Sequence, residues 1–245
     1  CKVIPDQWYA NSLTFANLIC GAAAIWVVCR YSWFTKGFVL IFVGQFFDLF
    51  DGRMARKYGS TKRGAFFDDV ADATSFGLAA ACIIHRALKS HESALLPNNL
   101  ILGITLFYLI CLVYRLYRFL YPTKPQQKGV FQGMPSPAGV LLACSAVLLA
   151  IRHPCPAAAA SAAFVVVFTS ILMVSNVPYL HFGQSLWPNL PRGIKLLLLI
   201  VLIVFVNIVL VKKQDWEAAF VWLCAALSLL YGIVGIQYRK AKTSE

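Results

Sequence analysis

Phe38-Val39-Leu40-Ile41-Phe42-Val43-Gly44-Gln45-Phe46-Phe47-Asp48-Leu49-Phe50-Asp51-Gly52-Arg53 carries an apolar run straight into two carboxylates set three residues apart. A run of this composition reads as a membrane-spanning helix with an acidic end, since a span needs about 20 predominantly apolar residues. Working outward, apolar runs broken by Pro, Gly and charge give eight candidate helices, at about 12–29, 33–57, 65–88, 99–121, 136–152, 157–177, 194–211 and 216–238. The fifth and sixth part at Arg152-His153-Pro154-Cys155-Pro156, where two prolines make one continuous helix costly.

Eight spans and their short connections use nearly all of the 245 residues, so a single transmembrane domain, 1–245, is expected, all-α and integral to the membrane. The composition agrees, at 60% apolar, 13% charged and a mean hydropathy of +0.70. Soluble domains carry roughly 25% charged residues. Disordered, fibrous and ordinary cytosolic classes are therefore excluded.

The net charge of +12 reads as topological and lipid-facing, with no nucleic-acid partner. With an even number of spans, fifteen of the 22 Lys and Arg residues fall on the side of both termini and seven on the other. The positive-inside rule then puts both termini, and the acids near position 50, on the cytoplasmic side. The eight cysteines form no C-x-x-C pair, and most lie in apolar runs, so neither structural zinc nor a disulfide framework is expected. The N-terminus shows no cleavable leader pattern, and the chain begins at Cys1 rather than Met, so upstream sequence is expected.

Five of the ten acidic residues lie between positions 48 and 72. A carboxylate in a membrane costs several kcal/mol, so five need compensation. Asp48 and Asp51 are spaced i, i+3 at one helix end, and Asp68 and Asp72 i, i+4 at the start of the next, so each pair points to one side of its helix. If the two faces meet, four carboxylates converge at the membrane surface. An all-oxygen set of this kind suits hard divalent cations, Mg²⁺ or Mn²⁺ with Ca²⁺ a further option, and two such ions form the clamp used for displacement at phosphorus. Gly52 and Ala55 leave room beside the acids, and Arg56, Lys57, Lys62 and Arg63 match a pyrophosphate in charge.

These residues resemble the CDP-alcohol phosphotransferase signature, D-x2-D-G-x2-A-R-x7/8-G-x3-D-x3-D, matched by Asp48, Asp51, Gly52, Ala55, Arg56, Gly64, Asp68 and Asp72. Seven residues separate Arg56 from Gly64 where many members have eight, and Asp69 lies outside the pattern, as a solvated or outer-sphere acid. The resemblance implies a membrane enzyme that moves the phosphatidyl group of CDP-diacylglycerol to an alcohol. It implies that Asp48, Asp51, Asp68 and Asp72 hold two divalent cations per site, and that Asp72 also takes the alcohol's proton. It implies that Asn11, Thr14, Asn17, Gly52, Ala55, Arg56, Thr61 and Gly64 hold the CDP-lipid. A homodimer is implied in the same way.

Three further stretches resemble members whose acceptor is L-serine: Ala71-Asp72-Ala73-Thr74-Ser75-Phe76-Gly77, Arg115-Leu116-Tyr117-Arg118-Phe119, and the pair Phe131–Ala138 and Leu172–Tyr179. The resemblance covers about residues 4–180 and leaves the spans at about 194–238 without a diagnostic motif. It suggests Ser75, Arg115, Arg118, Gly133 and Ser136 for the acceptor. Arg115 and Arg118 are also suited physically to grip an amino acid's carboxylate. The rival readings are the same chemistry on inositol phosphate, glycerol phosphate or choline, and, from a different class, a cation-coupled transporter. A transporter has no need of Gly52, Ala55 and Arg56 at these offsets.

Overall fold

The computed structural model describes residues 6–58, 62–90, 96–121, 130–153, 155–180, 191–193, 195, 196, 200, 207 and 215–242. Helix α1 (Asp6–Tyr31) and helix α2 (Phe34–Tyr58) form a tight hairpin. Only Ser32 and Trp33 link them, and Ser32 adopts φ 56°, the left-handed conformation that ends many helices. Helix α3 (Lys62–Asp72), a π-helical segment (Ala73–Ala79) and helix α4 (Ala80–Ser90) make one continuous rod. Then follow α5 (Asn98–Leu120), strand β1 (Val130–Gln132), α6 (Ser136–Arg152), α7 (Pro156–Val174), strand β2 (Pro178–Leu180) and α8 (Trp216–Lys242).

The helix limits follow the expected ones within about four residues wherever the chain is described, except that α1 begins at Asp6, six residues before the expected start, and the break at His153 to Cys155 falls between α6 and α7 as the two prolines require. The span expected at about 194–211 lies largely outside the described residues. Two points differ. The sixth expected span, α7, stops at Val174 rather than 177, because Ser175 leaves the helical conformation at φ −59°, ψ 160° and Pro178 disfavours helical backbone just before it. The all-α expectation also omits a small antiparallel ladder, in which Val130, Phe131 and Gln132 pair with Leu180, Tyr179 and Pro178.

Solvation by lipid shows in the distribution of apolar side chains. Phe38, Ile41, Phe76, Ile84, Tyr108, Leu112 and Met173 are fully buried, whereas Phe15, Ile110, Phe164 and Trp222 are each more than half exposed. Four helical stretches, Asn11–Tyr31, Asn98–Leu120, Pro156–Val174 and Trp216–Ile233, are long and apolar enough to cross a bilayer. The chain is an integral, multi-pass membrane protein.

Side-chain bonds distinguish the two ends of the bundle. At one end Arg152, closing α6, pairs with Asp215 at 2.7 Å and Glu217 at 3.5 Å, where α8 begins. There too, Trp26 meets Tyr31 edge to face, Tyr31 stacks on Trp33, and Lys36 Nζ sits 3.6 Å above the Trp33 ring. This is the aromatic and basic belt typical of a membrane interface. The acids gather at the other end.

Candidate metal and active site

The acidic end is built from α1, the end of α2, the start of the rod, the end of α5 and the start of α6. Asp48 on α2 and Asp68 and Asp72 on the rod each present a ligand atom, all within 4.8 Å of one another. Asp51 stands beside this trio, 4% exposed, its Oδ2 accepting a 2.8 Å hydrogen bond from Thr14 Oγ1. The Gly52 backbone N–H donates to the same carboxylate. Asp69 lies outside the trio, though its charge acts on Asp68.

Four carboxylates at close quarters repel, and Arg115 is the described cation that acts directly on Asp48 and Asp72. Asp68 Oδ1 is buried and has no hydrogen-bond partner among the described residues. A buried, unpaired carboxylate oxygen is expensive. A hard divalent ion is the group whose charge and oxygen preference would satisfy it. The residues present therefore fit the expected metals.

On α1, Thr14 and Asn17 face the acids one turn apart. Asn17 is fully buried, with Nδ2 donating to Asp72 Oδ1 at 3.3 Å. Its Oδ1 accepts from Ser75 Oγ at 2.8 Å. Asn11 is exposed near the start of α1, and Gly52 and Gly64 are partly buried beside the acids. Ala55 and Arg56 lie on α2 with side chains outside the described set, and Thr61 lies outside the described residues altogether.

Of the two arginines of α5, Arg115 grips the segment between β1 and α6, and Arg118 grips β1 and the turn that follows α7. Arg115 Nε donates to Met134 O at 2.9 Å, and Nη1 donates to Ser136 Oγ. Arg118 Nη1 donates to Val174 O at 2.8 Å and Asn176 Oδ1 at 3.3 Å, while Nη2 reaches Gln132 O at 2.6 Å and Ser175 O at 3.1 Å. Arg118 thus ties the first ladder strand to the turn before the second. Gly133 sits between, at φ 79°, and a Cβ there would lie 2.3 Å from Met173 O. Only glycine meets both demands without strain.

The sequence pattern of CDP-alcohol phosphatidyltransferases matches residues 7–177 of this chain. The chain belongs to that family. A CDP-diacylglycerol--serine O-phosphatidyltransferase of Helicobacter pylori is 26% identical over 94% of this chain and 91% of its own length. One from Bacillus subtilis is 31% identical over 74% of this chain and 94% of its own. An archaetidylserine synthase of Methanothermobacter thermautotrophicus is 29% identical over 58% of this chain and 56% of its own.

Within this CDP-alcohol phosphatidyltransferase the structure adds residues that the motifs did not single out. Gln45 Nε2 donates to Pro137 O at 3.1 Å, joining α2 to the first turn of α6. Tyr108 donates to Phe76 O at 2.8 Å, satisfying a carbonyl inside the π-helical segment. From α8, which carries no motif, Tyr231 stacks on Tyr179 of β2 with centroids 6.2 Å apart and acts electrostatically on Arg115. A polar or phenolic residue within an apolar run was the available signal for all three. Spacing alone gives no partner for it.

Proposed function

We propose that this chain transfers the phosphatidyl group of CDP-diacylglycerol to the hydroxyl of L-serine, giving phosphatidylserine and CMP. The observation that carries the reading is the convergence of Asp48, Asp68 and Asp72 around an unpaired carboxylate oxygen, in a chain that aligns nearly end to end with relatives bearing this activity. Asp48, Asp51, Asp68 and Asp72 would hold two divalent cations. When bound, these polarise the pyrophosphate and offset the negative charge of departing CMP.

The protein's own groups do the rest. Asp72 accepts the proton of the serine hydroxyl as that oxygen bonds to the lipid-bearing phosphorus, and the bond from this phosphorus to the CMP oxygen breaks with its electron pair. Arg115, already facing Asp72, would orient the acceptor's carboxylate. Arg118, Gly133 and Ser136 shape the acceptor side through the segment they hold. Asn11, Thr14, Gly52, Ala55, Arg56, Thr61 and Gly64 would hold the CDP-lipid, as the family motif implies.

We propose eight spans in all, with both termini on one side, as the apolar runs of the sequence suggest. We place that side in the cytoplasm by its fifteen basic residues. We also propose one catalytic domain per chain and a homodimer. The test is CMP release by purified protein from CDP-diacylglycerol with serine, glycerol phosphate, inositol phosphate or choline offered in parallel. Serine should support release, and Asp72→Asn should abolish it. Serine giving no more CMP than a control without alcohol, while another acceptor does, would refute the assignment.

A further inference from the structure

We infer that Asn17 and Ser75 form a positioning pair that holds the Asp72 carboxylate, and that Asn17 performs this role in place of the nucleotide contact its motif implies. The inference rests on Asp72 having the role proposed above. Asn17 has no exposed surface, so no face of it is open to a soluble headgroup. Both ends of its amide are already engaged. The acceptor-only carboxylate draws Nδ2 toward Asp72 Oδ1, which leaves Oδ1 for the Ser75 hydroxyl. Ser75 is equally buried, and its Oγ also lies 3.0 Å from the Asn17 backbone carbonyl, so its one hydroxyl proton is shared between two acceptors of the same residue on α1.

The surrounding backbone leaves space for this pair and nothing larger. A Cβ on Gly44 would lie 2.7 Å from Asn17 Oδ1, and one on Gly21 would lie 2.4 Å from Ser75 Oγ. Two neighbouring helices thus omit a side chain where the pair sits. The π-helical segment begins at Ala73, directly after Asp72, and it is this widened stretch that carries Ser75 against α1. Such segments recur at functional sites because they redirect one side chain without ending the helix. The result is a carboxylate fixed through one oxygen from within the bundle, with the other left for the reacting side.

The test compares the full-length protein with Asn17→Ala, Ser75→Ala and Gly44→Ala, and with Asn17→Ala combined with each of the other two. Turnover, KM for CDP-diacylglycerol and the Mn²⁺-induced shift in Tm without substrate are measured for each. Loss of a hydrogen bond to a charged group predicts kcat about 10- to 100-fold lower in Asn17→Ala, and loss or displacement of its neutral support predicts about 2- to 10-fold lower in Ser75→Ala and Gly44→Ala. KM should stay within about 3-fold, because binding is unaffected and only the reacting geometry changes. Adding Gly44→Ala or Ser75→Ala to Asn17→Ala should lower kcat by less than about 2-fold more, since residues of one unit are not additive.

A rise of about 10-fold or more in KM with kcat retained would overturn the inference in favour of a nucleotide contact. Effects that multiply in the double variants would overturn it too, as would a lowered metal-free Tm with unchanged kcat. If serine proves the wrong acceptor, the same comparison runs with whichever alcohol releases CMP. If none does, the Mn²⁺ titration decides alone: Asn17→Ala should weaken the half-saturating concentration by about 10-fold, and an unchanged value would overturn the inference.

Discussion

Thr14→Val deletes one hydroxyl and nearly preserves shape, at a residue 7% exposed whose Oγ1 lies 2.8 Å from Asp51 Oδ2. A hydrogen bond to a charged group contributes about 1.5–3 kcal/mol, or roughly 10- to 150-fold in an equilibrium constant. Asp51 would keep the Gly52 N–H but lose its side-chain donor, and the Asp48 and Asp68 charges would still press on it. Its orientation toward a shared cation would therefore loosen. The half-saturating Mn²⁺ concentration for CMP release should rise about 10- to 100-fold, the range seen when a partner of a metal-binding carboxylate is removed. At saturating Mn²⁺, kcat should recover to within about 3-fold, because only the affinity has changed. The assay is a metal titration of CMP release at fixed, saturating lipid and serine. An unchanged Mn²⁺ dependence with a raised KM for CDP-diacylglycerol would refute this reasoning and leave Thr14 only its role on the CDP-lipid side.

Asp68→Asn removes a charge from a crowded set and leaves an amide where an oxygen now lacks a partner among the described residues; CMP release should fall about 100-fold or more, while the metal-free Tm holds or rises, the usual opposition between stability and activity. Arg118→Lys keeps the charge, but an ammonium cannot reproduce the planar fork that serves Gln132, Val174 and Ser175. A loss of about 2 kcal/mol there should lower Tm by about 4–8 °C in thermal melts, and full retention of Tm would count against the clamp. Tyr108→Phe strips the donor from a buried carbonyl of the π-helical segment. Amide exchange over residues 73–79 should quicken relative to α4, and equal rates would show that the bond does not hold the segment.

The parts legible in the sequence were those written in local pattern. Apolar runs fixed the helices, the pair Pro154 and Pro156 fixed the break after α6, and the offsets from Asp48 to Asp72 pointed to one acidic centre. What escaped notice depends on contacts across the chain. Three-residue strands are too short to show alternation, so the ladder of Val130–Gln132 with Pro178–Leu180 left no trace. The π-helical segment Ala73–Ala79 has the composition of an ordinary helix, and nothing in it signals a wider turn. The structural bonds of Arg118 left no trace because its four acceptors lie 14 to 58 positions away. Asn17 fits a nucleotide-binding pattern by position, and only its burial and its bonds to Asp72 and Ser75 show how the side chain is occupied.

The widened turn after Asp72 also bears on how this rod tolerates change in length. A π bulge is one surplus residue accommodated within an otherwise regular helix, and each residue of an α-helix accounts for about 100° of rotation. Deleting a residue from α3 or α4 would swing either the acids or Ile83 and Ile84 out of alignment with their neighbours. Deleting one between Ala73 and Ala79 would draw on the slack already there, leaving both flanks facing as they do now. A residue lost from this stretch would therefore spare both flanks and still cost Ser75 its seat against α1.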